Sequence, residues 1–288
     1  MTNEKTLLYQ LTETSPFMMS FVIVTQNDNV IIVDGGREED MPLLKEYVGG
    51  RHISAWILTH AHTDHISGFV AEMKKNMCSE FDIERVYYNF PPYNIIDNKN
   101  VPDYPYYCRE LNETLPSFLE IEPALGDKAC VIRQGESIRV DECIIDFIYS
   151  YHDGLNANLM NDASLVFKLT TPNKTALFLG DLGPDGGDVL FRESRHLLKS
   201  DIVQMAHHGH MNVSMEVYAE IMPDICLWCA PTWLYEEEEV PKYLSDVEKL
   251  TRMKRIRMYG TAVTRKWMDI LGVKTHYVSG DGTNCIEL

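Results

Sequence analysis

The stretch His60-Ala61-His62-Thr63-Asp64-His65 places four metal-capable side chains within six residues. It follows an apolar run at 53–58 that has the length of a buried strand, and it precedes residues 66–77, whose pattern is typical of a helix. The four side chains are therefore predicted to lie in a turn between a strand and a helix, at the edge of a sheet. The alternative is a polar loop that holds three histidines by chance.

The spacing within this stretch predicts two groups of ligands. His60 and His62 are two residues apart, so in extended backbone their imidazoles leave the chain on the same side and can bind one metal ion. Asp64 and His65 follow where the chain turns, and they supply a carboxylate and a third imidazole for a second ion. Because imidazole and carboxylate suit zinc first, we expect two Zn²⁺ ions per chain, with Mn²⁺ or Fe as alternatives.

Further predicted strands end in residues of the same kind. Asp181 follows a predicted strand at 175–179, and the histidines of segment 206–210 follow another at 201–205. Ligands in α/β folds collect where strands end, so these residues are expected to join the histidine-rich stretch. Asp34, at the end of another predicted strand, is either a hydrogen-bond partner for a metal-bound histidine or an ordinary turn residue.

The chain has 288 residues and a formal net charge of −17, from 43 acidic against 26 basic residues. A chain this acidic repels polyphosphates at long range, so we expect no strong binding of nucleic acid and a small-molecule substrate instead. No internal repeat, low-complexity linker or break in composition divides the sequence, which predicts a single domain over residues 1–288.

The seven cysteines are scattered and odd in number, which favours a reducing cytoplasm over a disulfide scaffold. The first residues show no basic stretch followed by an apolar one, so no signal peptide is predicted. The longest apolar runs are far too short to cross a bilayer, and no association with a membrane is expected. We therefore predict a cytoplasmic protein, and the sequence leaves its oligomeric state open.

Four features, taken in chain order, resemble the metallo-β-lactamase superfamily: Asp34-Gly35-Gly36, the stretch 60–65, Gly180-Asp181 and His207. The resemblance implies an α/β fold, a four-layer αββα sandwich with the metal ions at one edge. Other segments are similar to the branch that contains the soluble C-terminal domain of ComEC-type competence proteins and the bacterial phosphorylcholine esterases. Those segments are 161–166, 179–181, 206–209 and 258–261.

The resemblance also implies a role for each candidate ligand, in two sites that share one carboxylate. It assigns His60 and His62 to site one, Asp64, His65 and His207 to site two, and Asp181 to a bridge between both ions.

Site one lacks a counterpart of the third histidine that most of the superfamily carries. The matching positions fall around Asn161 and Asp162, and His152 lies further upstream. We expect water, the substrate, or an oxygen of Asn161 or Asp162 to take that place.

These residues predict metal-assisted hydrolysis. Two cations about 3.5–4 Å apart lower the pKa of a bridging water, and the resulting metal-bound hydroxide attacks phosphorus or a carbonyl carbon. Asp64 is expected to bind one metal ion and to orient this nucleophile. His208 is a candidate for binding the oxyanion or protonating the leaving group, or else it is a loop histidine that only supports the ligands.

The substrate is less constrained than the reaction. A phosphoester or phosphodiester, a small anionic ester, fits the resemblance best. The alternatives are a lactonase or thioesterase that uses the same site, and a metal-stabilised binding module without catalysis. The segment 90–108, rich in Pro and Tyr, is either a lid whose aromatic rings could stack on a substrate or cradle a quaternary ammonium, or a surface excursion pinned by its own rings.

Overall fold

The computed structural model describes residues 4–93, 107–155, 159–237 and 260–288, with the backbone alone over 107–113. Across these ranges the chain forms one eight-stranded and one seven-stranded sheet. The two sheets pack face to face and helices cover both outer faces. The predicted α/β fold with four αββα layers is therefore confirmed.

Strands and helices follow one another along most of the chain. The strands are β1 (Leu7–Gln10), β2 (Ser20–Val24), β3 (Val30–Asp34), β4 (His52–Ile57), β5 (Asp82–Ile83), β6 (Val86–Tyr88), β7 (Ala129–Val131), β8 (Ser137–Val140), β9 (Cys143–Tyr149), β10 (Val166–Thr170), β11 (Thr175–Phe178), β12 (Ile202–Gln204), β13 (Ile225–Trp228), β14 (Thr275–Val278) and β15 (Asn284–Glu287). The α-helices are α1 (Met41–Val48), α2 (Thr63–Asn76), α3 (Tyr107–Leu125), α4 (Leu159–Asp162), α5 (Pro184–Ser194), α6 (Met215–Ile221), α7 (Thr232–Tyr235) and α8 (Thr261–Leu271).

Each sheet combines antiparallel and parallel strands. The first sheet has the order β15-β1-β2-β3-β4-β6-β7 with β5 beside β4, and the second has the order β14-β13-β12-β11-β10-β9-β8. Strands β3, β4 and β6 run parallel in the first sheet, and β11 to β14 run parallel in the second. Strand β15 pairs antiparallel with β1, from Leu7 opposite Glu287 to Gln10 opposite Asn284.

Aromatic side chains fill the space between the sheets. The Phe178 ring on β11 lies 5.2 Å from the Phe21 ring on β2 and 4.8 Å from the Phe167 ring on β10, measured between centroids. All three side chains are fully buried. Strands β2 and β3 are buried at every position because helices cover their other face, which explains their continuous apolar sequences.

The parallel strands bring the candidate ligands to one edge of the sandwich. In the first sheet, β3 ends in Asp34 and β4 ends at Ile57, just before the stretch 60–65. In the second sheet, β11 and β12 end just before Asp181 and the segment 206–210. The carboxyl ends of parallel neighbours open at the same edge, where a sheet can bind a ligand.

Two helices begin earlier than the sequence suggests. Helix α2 begins at Thr63 rather than at 66, so Asp64 and His65 belong to its first turn. The sequence after Asp181 predicts a helix over 188–198, whereas helix α5 begins at Pro184, because proline suits the first position of a helix and its missing N–H costs nothing there.

Helix α3 is longer than the helix over 109–120 that the sequence predicts. Its backbone continues through Pro116 and Pro123 to Leu125, although Pro116 predicts a shorter helix. The buried side chains of Leu115 and Phe118 pack into the core on the outer face of the first sheet, and this packing outweighs the lost helix hydrogen bond.

The segment 90–108 falls largely at 94–106, outside the described residues, so its role as a lid stays a prediction. The single domain over 1–288 likewise stays a prediction. In the ranges that the structure covers, no helix combines the length and the apolar character that crossing a bilayer requires.

Gly209, in the turn after β12, tests how tightly this edge is packed. Its φ is +90°, and a Cβ atom there would lie 2.4 Å from Cζ3 of the buried Trp228. We expect Gly209→Ala to combine about 1–2 kcal/mol of backbone strain with about 1–3 kcal/mol of overpacking. Gly272→Ala is the matched control, because its φ is +81° and no atom lies within 4 Å of the added Cβ.

Urea denaturation followed by circular dichroism should show a clearly larger loss of unfolding free energy for Gly209→Ala than for Gly272→Ala. Equal losses would mean that Trp228 moves aside without cost.

Candidate metal centre

The turn after β4 carries the first two imidazoles. His60 lies in the loop and His62 directly precedes α2, with an extended backbone of φ −87° and ψ 158°. Both side chains are buried, and their ring centroids are 4.5 Å apart. The expectation that these two residues face the same side is met by the geometry.

The first turn of α2 carries Asp64 and His65, and Asp34 holds the second of these in place. His65 Nδ1 lies 2.7 Å from Asp34 Oδ2. The Asp34 carboxylate also accepts hydrogen bonds from the backbone N–H and the hydroxyl of Thr59, each at 2.7 Å. Because Nδ1 is bound in this way, His65 Nε2 faces the interior of the site, as in a metal-binding histidine with a carboxylate behind it.

Asp181 is fixed by the backbone on either side of it. Its N–H donates to Ser164 Oγ at 3.0 Å, and the N–H groups of Leu179 and Gly180 both donate to Gln204 Oε1 at 2.8 Å. Gly180 has a φ of +56°, and a Cβ there would lie 2.9 Å from Ser164 Cβ. The glycine thus lets the turn approach Ser164 and direct the Asp181 carboxylate inward.

One oxygen of Asp181 faces four imidazole nitrogens. Asp181 Oδ2 lies 3.2 Å from Nε2 of both His65 and His208. It lies 3.7 Å from His60 Nε2 and 3.9 Å from His207 Nε2. This carboxylate is the common point of the cluster, and the resemblance to the superfamily implies a bridging ligand at this residue.

The turn after β12 presents two adjacent histidines to the site. His207 and His208 have φ values of 48° and 56°, so both adopt the left-handed conformation that non-glycine residues rarely take. His208 Nδ1 donates to Cys229 O at 2.7 Å, and His207 Nδ1 lies 3.3 Å from Met211 O. Strained backbone of this kind costs about 1–3 kcal/mol per residue and is typical of functional sites.

The structure pairs these histidines differently from the sequence-based expectation. The metal-capable atoms of Asp64, His65, Asp181 and His208 all lie within 4.8 Å of one another, and those of His60, His62 and Asp181 form a second such group. His208, rather than His207, therefore joins Asp64 and His65. Two successive left-handed residues turn both rings inward, which the sequence pattern gives no means to foresee.

Of the three candidates for the open place in site one, Asn161 reaches the cluster. Asn161 Nδ2 lies 3.2 Å from His207 Nε2, and its Oδ1 is buried without a hydrogen-bond partner among the described atoms. Asp162 Oδ1 instead accepts the N–H of Gly186 at 2.9 Å, within α5. His152 stacks on Tyr149, away from the other imidazoles.

Several polar atoms at the centre of the cluster face a charged neighbour but lack a well-aligned hydrogen bond. The buried Nε2 atoms of His60, His65 and His208 and the Oδ1 atom of Asp181 make no hydrogen bond with any described residue. Buried polar atoms are almost always satisfied, so imidazole nitrogens that converge on one carboxylate without well-aligned hydrogen bonds are an arrangement that a cation fits. Imidazole nitrogen with carboxylate oxygen is a donor set that fits zinc, iron or manganese.

Burial and charge divide the imidazoles into two classes. Burial lowers the pKa of His60 and His207, and lowers that of His62 to about 4, so these rings are neutral at pH 7. Burial also tends to lower the pKa values of His65 and His208, but the negative charge of Asp181 outweighs this effect. The pKa of His65 is raised well above its usual value, and that of His208 rises to about 10.

The two carboxylates respond in the opposite direction. Burial alone would raise their pKa values, but the neighbouring His65 and His208 lower the pKa of both Asp64 and Asp181. Without a cation, the cluster therefore holds two carboxylates balanced by two protonated imidazoles.

This balance predicts the proton release that accompanies metal uptake. An imidazole must lose its proton to bind a metal ion. Filling the group with His65 and His208 at pH 7 should release about two protons per chain, whereas filling the group with His60 and His62 should release none. Zinc titration calorimetry in buffers of different ionisation enthalpy measures this number.

The zinc affinity of the group that contains His65 and His208 should rise with pH. Fewer protons compete with zinc for His208 as the pH approaches the pKa of that residue, about 10. Zinc affinity that is independent of pH from 6 to 9 at both groups would contradict this charge distribution.

One part of the chain matches the model of a known protein family. Residues 16–81 match the model of the Metallo-beta-lactamase superfamily, a range that runs from before β2 to beyond α2 and includes Asp34 and the stretch 60–65. No curated protein sequence matches the chain at a significant level.

The solved structures that share the fold include two that align over nearly all of this chain. The metallo-beta-lactamase fold protein YhfI from Bacillus subtilis aligns with a TM-score of 0.57 at 11% identity, over 98% of this chain and 100% of that one. CmlA, a diiron beta-hydroxylase from Streptomyces venezuelae, aligns with a TM-score of 0.52 at 12% identity, over 100% of this chain and 55% of that one. Identities this low show the fold alone, and the resemblance to the ComEC branch is not confirmed by them. Residues 16–81 therefore match the metallo-β-lactamase superfamily model, and the chain as a whole has the fold of metallo-beta-lactamase fold proteins.

Proposed function

We propose that this protein is a hydrolase that uses two divalent metal ions and acts on a small anionic ester, a phosphoester or phosphodiester. One observation carries the proposal: two groups of imidazoles and carboxylates share the carboxylate of Asp181. A shared carboxylate between two ligand groups is suited to a pair of neighbouring cations rather than to one.

The ligand set follows from the two groups. When bound, the cations would supply Lewis acidity and lower the pKa of a coordinated water. One ion would be held by His60, His62 and Asp181, and the other by Asp64, His65, Asp181 and His208.

Asp64 is the carboxylate of the cluster that reaches furthest toward solvent. Its side chain is 13% exposed, compared with 1% for Asp181. Because its pKa is lowered by His208 and His65, it is ionised at neutral pH and can accept a hydrogen bond from a water molecule. We assign to Asp64 the orientation of the attacking water, in addition to its contact with the second ion.

The roles of His207 and His208 are exchanged relative to the sequence-based expectation. The Nδ1 of His208 donates to Cys229 O, which directs Nε2 toward the carboxylates of Asp64 and Asp181 and toward the second ion. His207 lies outside both ligand groups, and its side chain is more exposed than that of His208. We therefore assign to His207, with Asn161 beside it, the contact with the oxyanion or leaving group of the substrate.

We also propose a cellular compartment, a substrate size and a metal ion for this protein. Six cysteines of the described residues are free, which supports a reducing compartment such as the cytoplasm. The net charge of −17 favours a small substrate over nucleic acid. Zinc is the proposed metal, and Mn²⁺ or Fe also suits the donor set.

Asp181→Asn tests the shared ligand, with Asp162→Asn as the matched control. We expect about two zinc ions per chain in the unchanged protein and less than one in Asp181→Asn, because both groups lose an anionic ligand. Hydrolysis of bis(p-nitrophenyl) phosphate should fall by more than the roughly 10–100-fold that loss of an outer partner causes. Asp162 binds the start of α5, so its variant should keep its zinc.

Metal analysis and a substrate screen separate the competing functions. Faster turnover of a lactone or thioester than of the phosphodiester would favour attack at carbon. A protein that binds two zinc ions and turns over none of the three would be a binding module, and the hydrolase proposal would fall.

A further inference from the structure

We propose that Phe17 and Trp233 form an aromatic corner beside the metal centre, and that this corner holds a planar, uncharged group of the substrate. The inference rests on the proposed function and adds a substrate class to it: esters that carry an aromatic substituent next to the reacting group. Neither residue is a candidate ligand, and neither is used in the chemistry described above.

The position of Phe17 links the corner to the ligands. The Phe17 ring lies 5.3 Å from the ring of His208, at an angle of 67°. It lies 6.0 Å from the ring of His210, nearly parallel at 13°, and 5.8 Å from the ring of Trp233, at 90°. Because His208 is a proposed ligand of the second ion, a group that contacts both aromatic rings is separated from that ion by one side chain.

Trp233 presents most of its surface to solvent. It is 61% exposed, whereas Trp56 and Trp228 are fully buried. A tryptophan side chain gains free energy from burial of its large apolar surface, so one that stays exposed beside a polar site is available to a ligand.

The backbone around Phe17 is held in a strained shape. Phe17 has a φ of +66°, which costs free energy for any side chain larger than that of glycine. The turn before it is fixed because Ser15 Oγ donates to Asp40 Oδ2 at 2.6 Å, and Arg37 Nη1 donates to Ser15 Oγ at 3.2 Å. Asp40 is itself fully buried. The ring is thus positioned before any ligand arrives.

Helix α7, which carries Trp233, is also fixed at its start. Thr232 Oγ1 donates to Asp281 Oδ1 at 3.0 Å. Gly280 packs so closely that a Cβ there would lie 2.4 Å from Thr232 N, and its own N–H donates to Ala230 O at 3.1 Å. Both walls of the corner therefore have little freedom to lose when a ligand binds.

The geometry of the two rings points to an aromatic occupant. Two rings at a right angle let a third ring stack on one of them while it meets the edge of the other, which is a favoured arrangement of aromatic groups. A cationic group would be attracted to the ring faces, but the proposed metal ions beyond His208 carry charge of the same sign. An uncharged ring avoids that repulsion.

Two phosphonates test the corner without depending on turnover. Phenylphosphonate and methylphosphonate offer the same anionic group to the metal ions and differ in the ring. We expect the zinc-loaded protein to bind phenylphosphonate about tenfold more tightly, as an aromatic contact with its buried area would give. Trp233→Ala should reduce this ratio to about two or less, and Trp233→Phe should keep part of it. Titration calorimetry gives both dissociation constants.

Met222→Ala is the control variant. Met222 is also 61% exposed but lies before β13, at the end of the second sheet opposite to the metal centre, so the ratio should not change. A ratio that Trp233→Ala leaves unchanged, while both phosphonates still bind and a phosphodiester is still hydrolysed, would overturn the corner alone.

Two further outcomes would also overturn the inference. If a trimethylammonioethyl phosphonate binds more tightly than phenylphosphonate, and loses that advantage in Trp233→Ala, the occupant is a cation instead of a neutral ring. If the zinc-loaded protein binds no phosphonate and hydrolyses no ester, the proposed function fails and the corner fails with it.

Discussion

The site depends on one buried carboxylate oxygen. Asp181 Oδ2 faces imidazole nitrogens from the turn after β4, from α2 and from the turn after β12, at distances between 3.2 and 3.9 Å. A lone carboxylate at this depth would cost several kcal/mol, so it persists only where positive charge surrounds it. The two sheets meet around this oxygen, and each supplies part of that charge. Its position thus decides which side chains can act together.

The support for this arrangement lies behind the ligands. Asp34 orients His65, Cys229 O orients His208, and Ser164 with Gln204 fixes the turn around Asp181. Each of these partners sits at or near the end of a strand, so the rigidity of the sheets reaches the imidazoles through single hydrogen bonds. The turn at Phe17 is supported in a similar way, because the buried Asp40 accepts a hydrogen bond that holds this strained turn in place. Rigid partners of this kind keep reacting groups in position at little entropic cost.

Much of this was accessible from the sequence, because local patterns carry it. The stretch 60–65 lies between an apolar strand and a helix, and glycines flank Asp181, so both could be placed at strand ends. The choice between His207 and His208 was not accessible, since it depends on two successive left-handed residues. Helix α3 passes through Pro116 because of packing against distant strands, and the meeting of Phe17 with Trp233 joins residues far apart in the chain. Tertiary contacts decide such features, and short-range pattern does not report them.

The pairing of β15 with β1 has a consequence for how the molecule assembles. Leu7 lies opposite Glu287, so this ladder joins residues separated by nearly the whole chain, and Leu288 N–H donates to Thr6 O beside it. Contacts of such long sequence separation form late and slow the search for the native topology. Until they form, the edge of β1 is an open template for pairing with another molecule. A nascent chain of this protein is therefore exposed to aggregation at β1 until β15 has been synthesised and paired with it.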